Sequence, residues 1–309
     1  LLDRTLARVL FTVTDFLDAA YVAMLADVGG GAGLDEVVVL RGTVSDRCTS
    51  WADFLEVGNT VDDGNRAARS AAVGGDDLCH LMFTSGTTGQ PKAAILSHRS
   101  IVAFVQVVTF LGAAQAASVG ASTSGTTRPR LAVFPMFHIS GLQSSSVTPM
   151  ATGAGNVWPM GKFDPATVIR LTNEERIYAW NGTATHIFRL LEDPTIEDLD
   201  TTLVETVAIG GSASTPALIR ATEERFPHLV DTFTSGYGLT ESGGMVSHAS
   251  NEMLKANPDS VGMAMPTVEL KIVNDDGVEL PEGENGSICV RSPLTMIGYW
   301  DCLLYTSPS

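Results

Sequence analysis

Short apolar runs recur along this chain, and each is closed by a glycine- or proline-bearing loop that leads into a helical pattern. Glu36 to Leu40, Leu131 to Phe134 and Thr206 to Ile209 are nearly continuous apolar stretches, the pattern of strands buried on both faces. Between them lie helical patterns. Asp15 to Leu25 reads as a short helix. Ile101, Phe104, Val105, Val108 and Leu111 share one helical face within the uncharged stretch Ile101 to Ala121, which is expected to be a buried helix, because Gln106, Gln115 and three small residues dilute it as a membrane span. Asp164 caps and Pro165 opens a helix running to Asn173, and Thr215-Pro216 repeats the same cap-then-proline start.

This order permits few architectures. It implies an α/β fold of layered, mostly parallel sheets flanked by helices, whose ligands gather at the carboxyl ends of the strands. Asn59 to Gly75 is polar and reads as a surface connection. Beyond Val261 the texture changes. Val268 to Val273 alternates apolar and polar residues, Asn274 to Gly277 is a turn, and Gly286 to Val290 is another strand. A small antiparallel, β-barrel-like subdomain near the C-terminus is therefore expected.

The densest chemical signal is Met82 to Lys92, M-F-T-S-G-T-T-G-Q-P-K. Gly86 and Gly89 allow close backbone approach, and the hydroxyls of Thr84, Ser85, Thr87 and Thr88 can donate to phosphate oxygens. Lys92 adds a point charge. A strand-like entry at Leu81 to Phe83 and a helical exit from Ile101 fit an anion-binding loop. It is not a Walker loop, because Pro91 precedes the lysine and Ala93 follows it.

Composition excludes several functions. A formal charge of −16 is the wrong sign for a nucleic-acid surface. Cys48, Cys79, Cys289 and Cys302 show neither C-x-x-C spacing nor paired histidines, which points to a reducing, cytoplasmic setting and away from a metal cage. His80, His186, His228 and His248 likewise lack metal-site spacing. No signal-peptide pattern opens the chain, since Arg4 and Arg8 interrupt its first apolar run.

The order S-G-T-T-G-x-P-K resembles the signature of the adenylate-forming superfamily, which includes acyl-CoA synthetases, aryl-CoA ligases and luciferases. Three further stretches follow in that family's order: Phe134-Pro-Met-Phe-His138 with Gly141, Gly210-Gly211-Ser212, and Tyr237-Gly-Leu-Thr-Glu241. The resemblance runs to Trp300. It implies ATP-dependent conversion of a carboxylic acid, here expected to be a fatty acid, into an acyl-adenylate and then into a thioester of coenzyme A. Mg²⁺ would assist. By the same resemblance Lys92, Thr240 and Glu241 are the catalytic candidates, with Glu241 the metal ligand. Thr84, Ser85, Gly86, Thr87, Thr88, Gly89, Lys92, Gly210, Gly211, Ser212, Gly236, Tyr237, Gly238 and Thr240 would hold ATP. His138, Thr185, Gly211 and Gly236 would line the acyl pocket. His98 would be structural.

The resemblance also divides the chain into an incomplete first subdomain (1–78), an ATP- and acyl-binding subdomain (79–260) and a β-rich segment (261–300). Residues 301–309 match nothing in the pattern and are expected to be non-native read-through. A C-terminal domain carrying a further catalytic lysine is expected in the family and is not in this sequence. The space left by Gly182, Thr183 and Ala184 favours an acyl chain over a compact amino acid. Related alternatives are an aryl-CoA ligase, a fatty acyl-AMP ligase, a luciferase-like enzyme, or a nucleotide-binding relative without catalysis.

Overall fold

The computed structural model describes residues 2–29, 33–85, 90–118, 128–212, 214–229 and 232–301, the side chains at 115, 116 and 118 excepted. The chain divides into two compact units, residues 1–74 with 300–309, and residues 75–299.

The first unit contains helix α1 (Leu2–Thr5), strand β1 (Val9–Thr12), helix α2 (Tyr21–Asp27), strands β2 (Glu36–Val39) and β3 (Thr49–Ser50), and helices α3 (Trp51–Gly58) and α4 (Asp63–Ala72). Its three strands pair in parallel in the order β1-β2-β3. Val38 and Val39 are buried, and Phe11, Trp51 and Phe54 form a cluster of aromatic rings. Two expectations change here. The helix expected from Asp15 begins only at Tyr21, because Phe16 and Ala19 bridge to each other first. The polar connection from Asn59 contains α4, where Asp62 accepts from the Asn65 backbone N–H as N-cap and every residue is exposed.

The second unit opens with an antiparallel pair, β4 (Leu78–Thr84) and β5 (Lys92–Ser97), followed by helix α5 (His98–Ser118). Next come β6 (Arg130–Leu131), α6 (Thr148–Thr152), β7 (Asn156–Val157), α7 (Pro165–Glu175), β8 (Ala179–Gly182), α8 (Ala184–Glu192), β9 (Thr206–Gly210) and α9 (Pro216–Arg225). The last elements are β10 (Phe233–Tyr237), β11 (Ser247–Ser250), α10 (Asn251–Ala256), β12 (Met263–Ala264), β13 (Glu269–Val273), β14 (Ser287–Arg291) and β15 (Gly298–Tyr299).

Seven strands form the central sheet, ordered β12-β11-β10-β9-β8-β6-β7. The five from β10 to β7 are parallel, and β11 and β12 extend the sheet antiparallel. Strand alternation gives this sheet two unlike faces. Leu131, Trp180, Val207, Ile209, Phe233 and Ala249 point to one side and join the main core with side chains of α7 to α10. Trp180 is its anchor. It is fully buried, its ring meets Phe226 edge-on at 5.5 Å, and its Nε1 donates to Thr172 Oγ1 at 3.1 Å. Helix α7 starts as its sequence predicts, with Asp164 accepting from the Thr167 backbone N–H at 2.9 Å and Pro165 in the first turn.

Three sequence expectations are corrected. The glycine-rich loop leads from β4 into β5, so it closes an antiparallel hairpin in a separate three-stranded sheet, β15-β5-β4. Lys92 to Ser97 pairs as a strand because Ala93, Ala94 and Leu96 are buried, and helix α5 starts only after it, at His98. Strand β6 ends at Leu131, short of Phe134. Helix α5 is buried along one side only: Ile101, Phe104 and Val107 are covered, whereas Val102 and Phe110 are 55% and 59% exposed. No helix among the described residues is long and apolar enough to cross a membrane. The segment after Val261 supplies the antiparallel hairpin β13–β14, while β12 joins the central sheet and β15 the small one. Residues 302–309 lie outside the described residues.

Burial also sets the titration of three histidines. Desolvation lowers the pKa of His80, His186 and His248 below their ordinary 6.5. A neutral buried imidazole costs nothing above that value, and below it the unfolded chain takes up protons that the folded chain resists. The melting temperature should therefore fall as the pH is lowered from about 7 to about 5. A flat profile would show that these rings are not held neutral. Trp180→Ala should cost roughly 3–5 kcal/mol in a denaturant titration, through cavity formation in the main core.

Candidate active site

The second face of the central sheet is built from small and polar residues. Ala208 and Gly210 on β9, Thr234 and Gly236 on β10, Asn181 on β8 and His248 on β11 all turn to that side, where they line a cavity of about 640 Å³. The opposite wall comes from Phe104 and Val108 of α5 and from Ile139, Ser140, Ser144 and Thr148.

That wall has an unusual backbone. Ser140–Val147 is a π-helix that continues directly into α6. Its wider turn places Ser140, Ser144 and Thr148, four residues apart, along the cavity. The helix packs closely at its start, where Gly141 leaves no room for a side chain, since a Cβ would overlap the Pro135 carbonyl. This accounts for a glycine after the Phe134–His138 stretch. His138 itself is exposed, lines the cavity and accepts from the Ser140 backbone N–H at 3.3 Å.

At the carboxyl end of the parallel strands the cavity meets Thr84, Ser85, Gly211, Gly238, Thr240 and Glu241. Gly238 is required by packing, because a Cβ there would overlap the Gly244 carbonyl. The turn that follows is closed by Ser242, whose Oγ accepts from Leu239 N at 3.0 Å and donates to Leu239 O at 2.9 Å. Glu241 is held from three sides. Its Oε1 accepts from Tyr299 Oη at 2.7 Å and from Thr84 Oγ1 at 3.3 Å, and its backbone carbonyl accepts from Met296 N at 2.9 Å.

The motif residues thus converge from both sheets. Thr84, Ser85, His138, Gly210, Gly211, Gly236, Gly238, Thr240 and Glu241 share one cavity. Others sit elsewhere. Lys92 Nζ lies over the Tyr299 ring, 5.3 Å from its centroid. Tyr237 packs against the cluster of Phe104, Val107, Val246 and Leu294. Ser212 Oγ accepts from Ala184 N at 2.9 Å, and Thr185 is exposed in the first turn of α8. His98 heads α5, its backbone N–H donating to the Asp77 carbonyl. Gly86, Thr87, Thr88 and Gly89 lie outside the described residues.

The room expected beside Gly182 is already taken by His186, whose Cβ would stand 3.0 Å from any side chain there. Arg130, Asn181, Thr148 and Thr234 line the cavity without having been singled out in the sequence, and so does His248, considered there only as a metal ligand. For the residues on β9 and β10 the signal was present: Ala208 and Thr234 stand two positions before motif glycines and so share their face.

A hard divalent cation is compatible with this end of the cavity. Glu241 Oε2 makes no hydrogen bond among the described residues, which leaves one carboxylate oxygen available. No group of three His, Cys, Asp or Glu side chains forms a cage among the described residues, and Mg²⁺ typically needs only one or two carboxylates plus water and phosphate oxygens.

Comparison with known proteins agrees with the convergence of these motifs. The family described as AMP-binding enzyme matches residues 1–300. Acyl-CoA ligase sidI of Aspergillus fumigatus is 27% identical over 88% of this chain and 44% of its own length. A Mycobacterium tuberculosis CoA ligase for a 7a-methyl-1,5-dioxo-octahydro-inden-4-yl propanoyl group is 30% identical over 97% of this chain and 54% of its own. The chain therefore spans about half the length of these relatives. In fold it is similar to the anthranilate CoA ligase AuaEII in complex with anthranoyl-AMP, with a TM-score of 0.77 and 20% identity over 97% of this chain and 53% of that one. With four motifs gathered on one cavity and the family pattern running nearly end to end, the chain belongs to the AMP-binding enzyme family.

Proposed function

We propose that the full-length protein is an AMP-forming acid–thiol ligase. A carboxylate oxygen attacks the α-phosphorus of ATP, pyrophosphate leaves, and an acyl-adenylate forms. The thiol of coenzyme A then attacks the acyl carbon and displaces AMP. The observation that carries this reading is the single cavity that joins the phosphate-loop residues Thr84 and Ser85 to Thr240, Glu241 and the glycine-floored face of the central sheet.

The physical obstacle is that an anion must approach a polyanion, so fixed donors and exact placement supply most of the rate. Thr84, Ser85 and the loop residues 86–89 are proposed to bind the β- and γ-phosphates. Thr240 would donate to the α-phosphate. Gly210, Gly211, Gly236 and Gly238 would let the nucleotide and acyl group lie against the backbone. Glu241 would hold Mg²⁺, which supplies neutralisation of phosphate charge when bound. Thr84 and Tyr299 fix that carboxylate. For Lys92 and Tyr237 to reach a nucleotide, each must exchange its present contact for one with the ligand.

A fatty acid is the proposed substrate, supported by the apolar walls Phe104, Val108, Phe134, Ile139 and Met245. His138, which lines the cavity, would shield the reacting carboxylate. The unpatterned cysteines make a cytoplasmic setting part of the same proposal.

The test is acid-dependent ATP–pyrophosphate exchange by the full-length protein. Exchange with a fatty acid supports the reading, and none with any acid overturns it. Glu241→Gln should lower the exchange rate roughly 100-fold, as loss of a transition-state charge interaction does. Tyr299→Phe removes one donor to that carboxylate and should cost roughly tenfold. Lys92→Ala should raise the KM for ATP, and unchanged ATP kinetics would remove Lys92 from the phosphate site.

A further inference from the structure

The cavity does not end as an apolar tunnel. Arg130 pairs with Ala179, and Ala179 pairs with Thr206, so Arg130 stands level with the start of β9. Gly210 lies four positions beyond Thr206, which puts roughly 13 Å of strand between the arginine and the carboxyl end of the sheet. Arg130 and Asn181 both line the cavity at or towards this far end.

Thr148 belongs to the same region. Asn156 is the partner of Arg130 across β6 and β7, and its Nδ2 donates to the Ser145 carbonyl at 2.6 Å. The C-terminal end of the π-helix is thereby tied to Arg130's level. Thr148 lines the cavity, is only 6% exposed, and its Oγ1 has no hydrogen-bond partner among the described residues. A buried hydroxyl left unpaired is costly unless a ligand completes it.

The guanidinium of Arg130 is placed but not consumed. Its Nε donates to Tyr178 Oη at 2.8 Å, and its carbon lies 5.9 Å from the centre of the Tyr178 ring. Among the described residues its two terminal nitrogens make no hydrogen bond. A planar fork anchored through Nε presents those nitrogens side by side, the geometry that receives a carboxylate.

We propose that Arg130, with Asn181 and Thr148, forms a subsite for a second anionic group at the far end of the acyl substrate. The preferred acid is then a chain carboxylated at both ends, one carboxylate reacting near Glu241 and the other held by Arg130. The apolar middle fits the methylene chain between them. This assignment rests on the ligase reading and narrows its substrate class.

The test compares straight-chain monocarboxylic acids with dicarboxylic acids of matching length, using the full-length protein. ATP–pyrophosphate exchange gives kcat/KM for each, and calorimetric titration gives binding without turnover. The wild type should favour the dicarboxylic member at one matching length. Arg130→Leu should shrink that preference roughly tenfold or more, and Arg130→Lys should keep part of it. Exchange that prefers monocarboxylic acids, with the ratio unmoved by Arg130→Leu, overturns the subsite and leaves the ligase reading standing. Dicarboxylate binding that requires Arg130 while no acid supports exchange upholds the subsite and overturns the ligase reading.

Discussion

The site depends on how one carboxylate is tied down. Glu241 follows the last parallel strand of the central sheet, yet both hydroxyls on its Oε1 come from the small sheet, Thr84 at the end of β4 and Tyr299 in β15. Met296 adds a backbone bond to its carbonyl. Segments far apart in sequence are thus registered against each other at the point where phosphate chemistry is proposed. Thr84 also begins the glycine-rich sequence stretch, so the carboxylate is bonded to the residue from which that stretch departs.

The central sheet explains why a deep cavity can coexist with a firm core. Alternation sends Trp180, Val207, Ile209 and Phe233 to one side, where helices cover them completely. It sends Asn181, Ala208, Gly210, Thr234 and Gly236 to the other, where small side chains leave volume unfilled. Stability is concentrated on one face and ligand space on the other. The π-helix then closes the open face without filling it.

Much of this could be read in the sequence. The cap-and-proline starts at Asp164 and Thr215, the strand into Gly210 and the hairpin around Asn274 rest on local chemistry, and they form as expected. Convergence of the four motifs was legible through family resemblance, because motif order is a property of the chain. What could not be read was decided by pairing between distant segments. Lys92 to Ser97 becomes a strand because β4 and β15 flank it, and no local signal distinguishes that from the approach to a helix. Tyr237 and Lys92 have side chains whose partners lie elsewhere in the chain. Arg130 carries no motif, and its place at the foot of the cavity follows only from strand register.

The π-helix has a consequence for how such a cavity can diversify. An α-helix advances about 100° per residue, whereas the π form holds extra chain in each turn. Loss of one residue between Ser140 and Val147 would let the segment relax to the α form, and everything after it would rotate relative to Ile139. Ser144 and Thr148 would shift around the axis by less than one residue's rotation, which re-aims their hydroxyls along the cavity. Because Leu142 and Val147 of the π-helix pack in one cluster with Met82, Leu96 and Met296, the last of which bonds the Glu241 carbonyl, a deletion that re-aims the acyl wall would also be felt at the carboxylate, so acid preference and the adenylation machinery are mechanically linked.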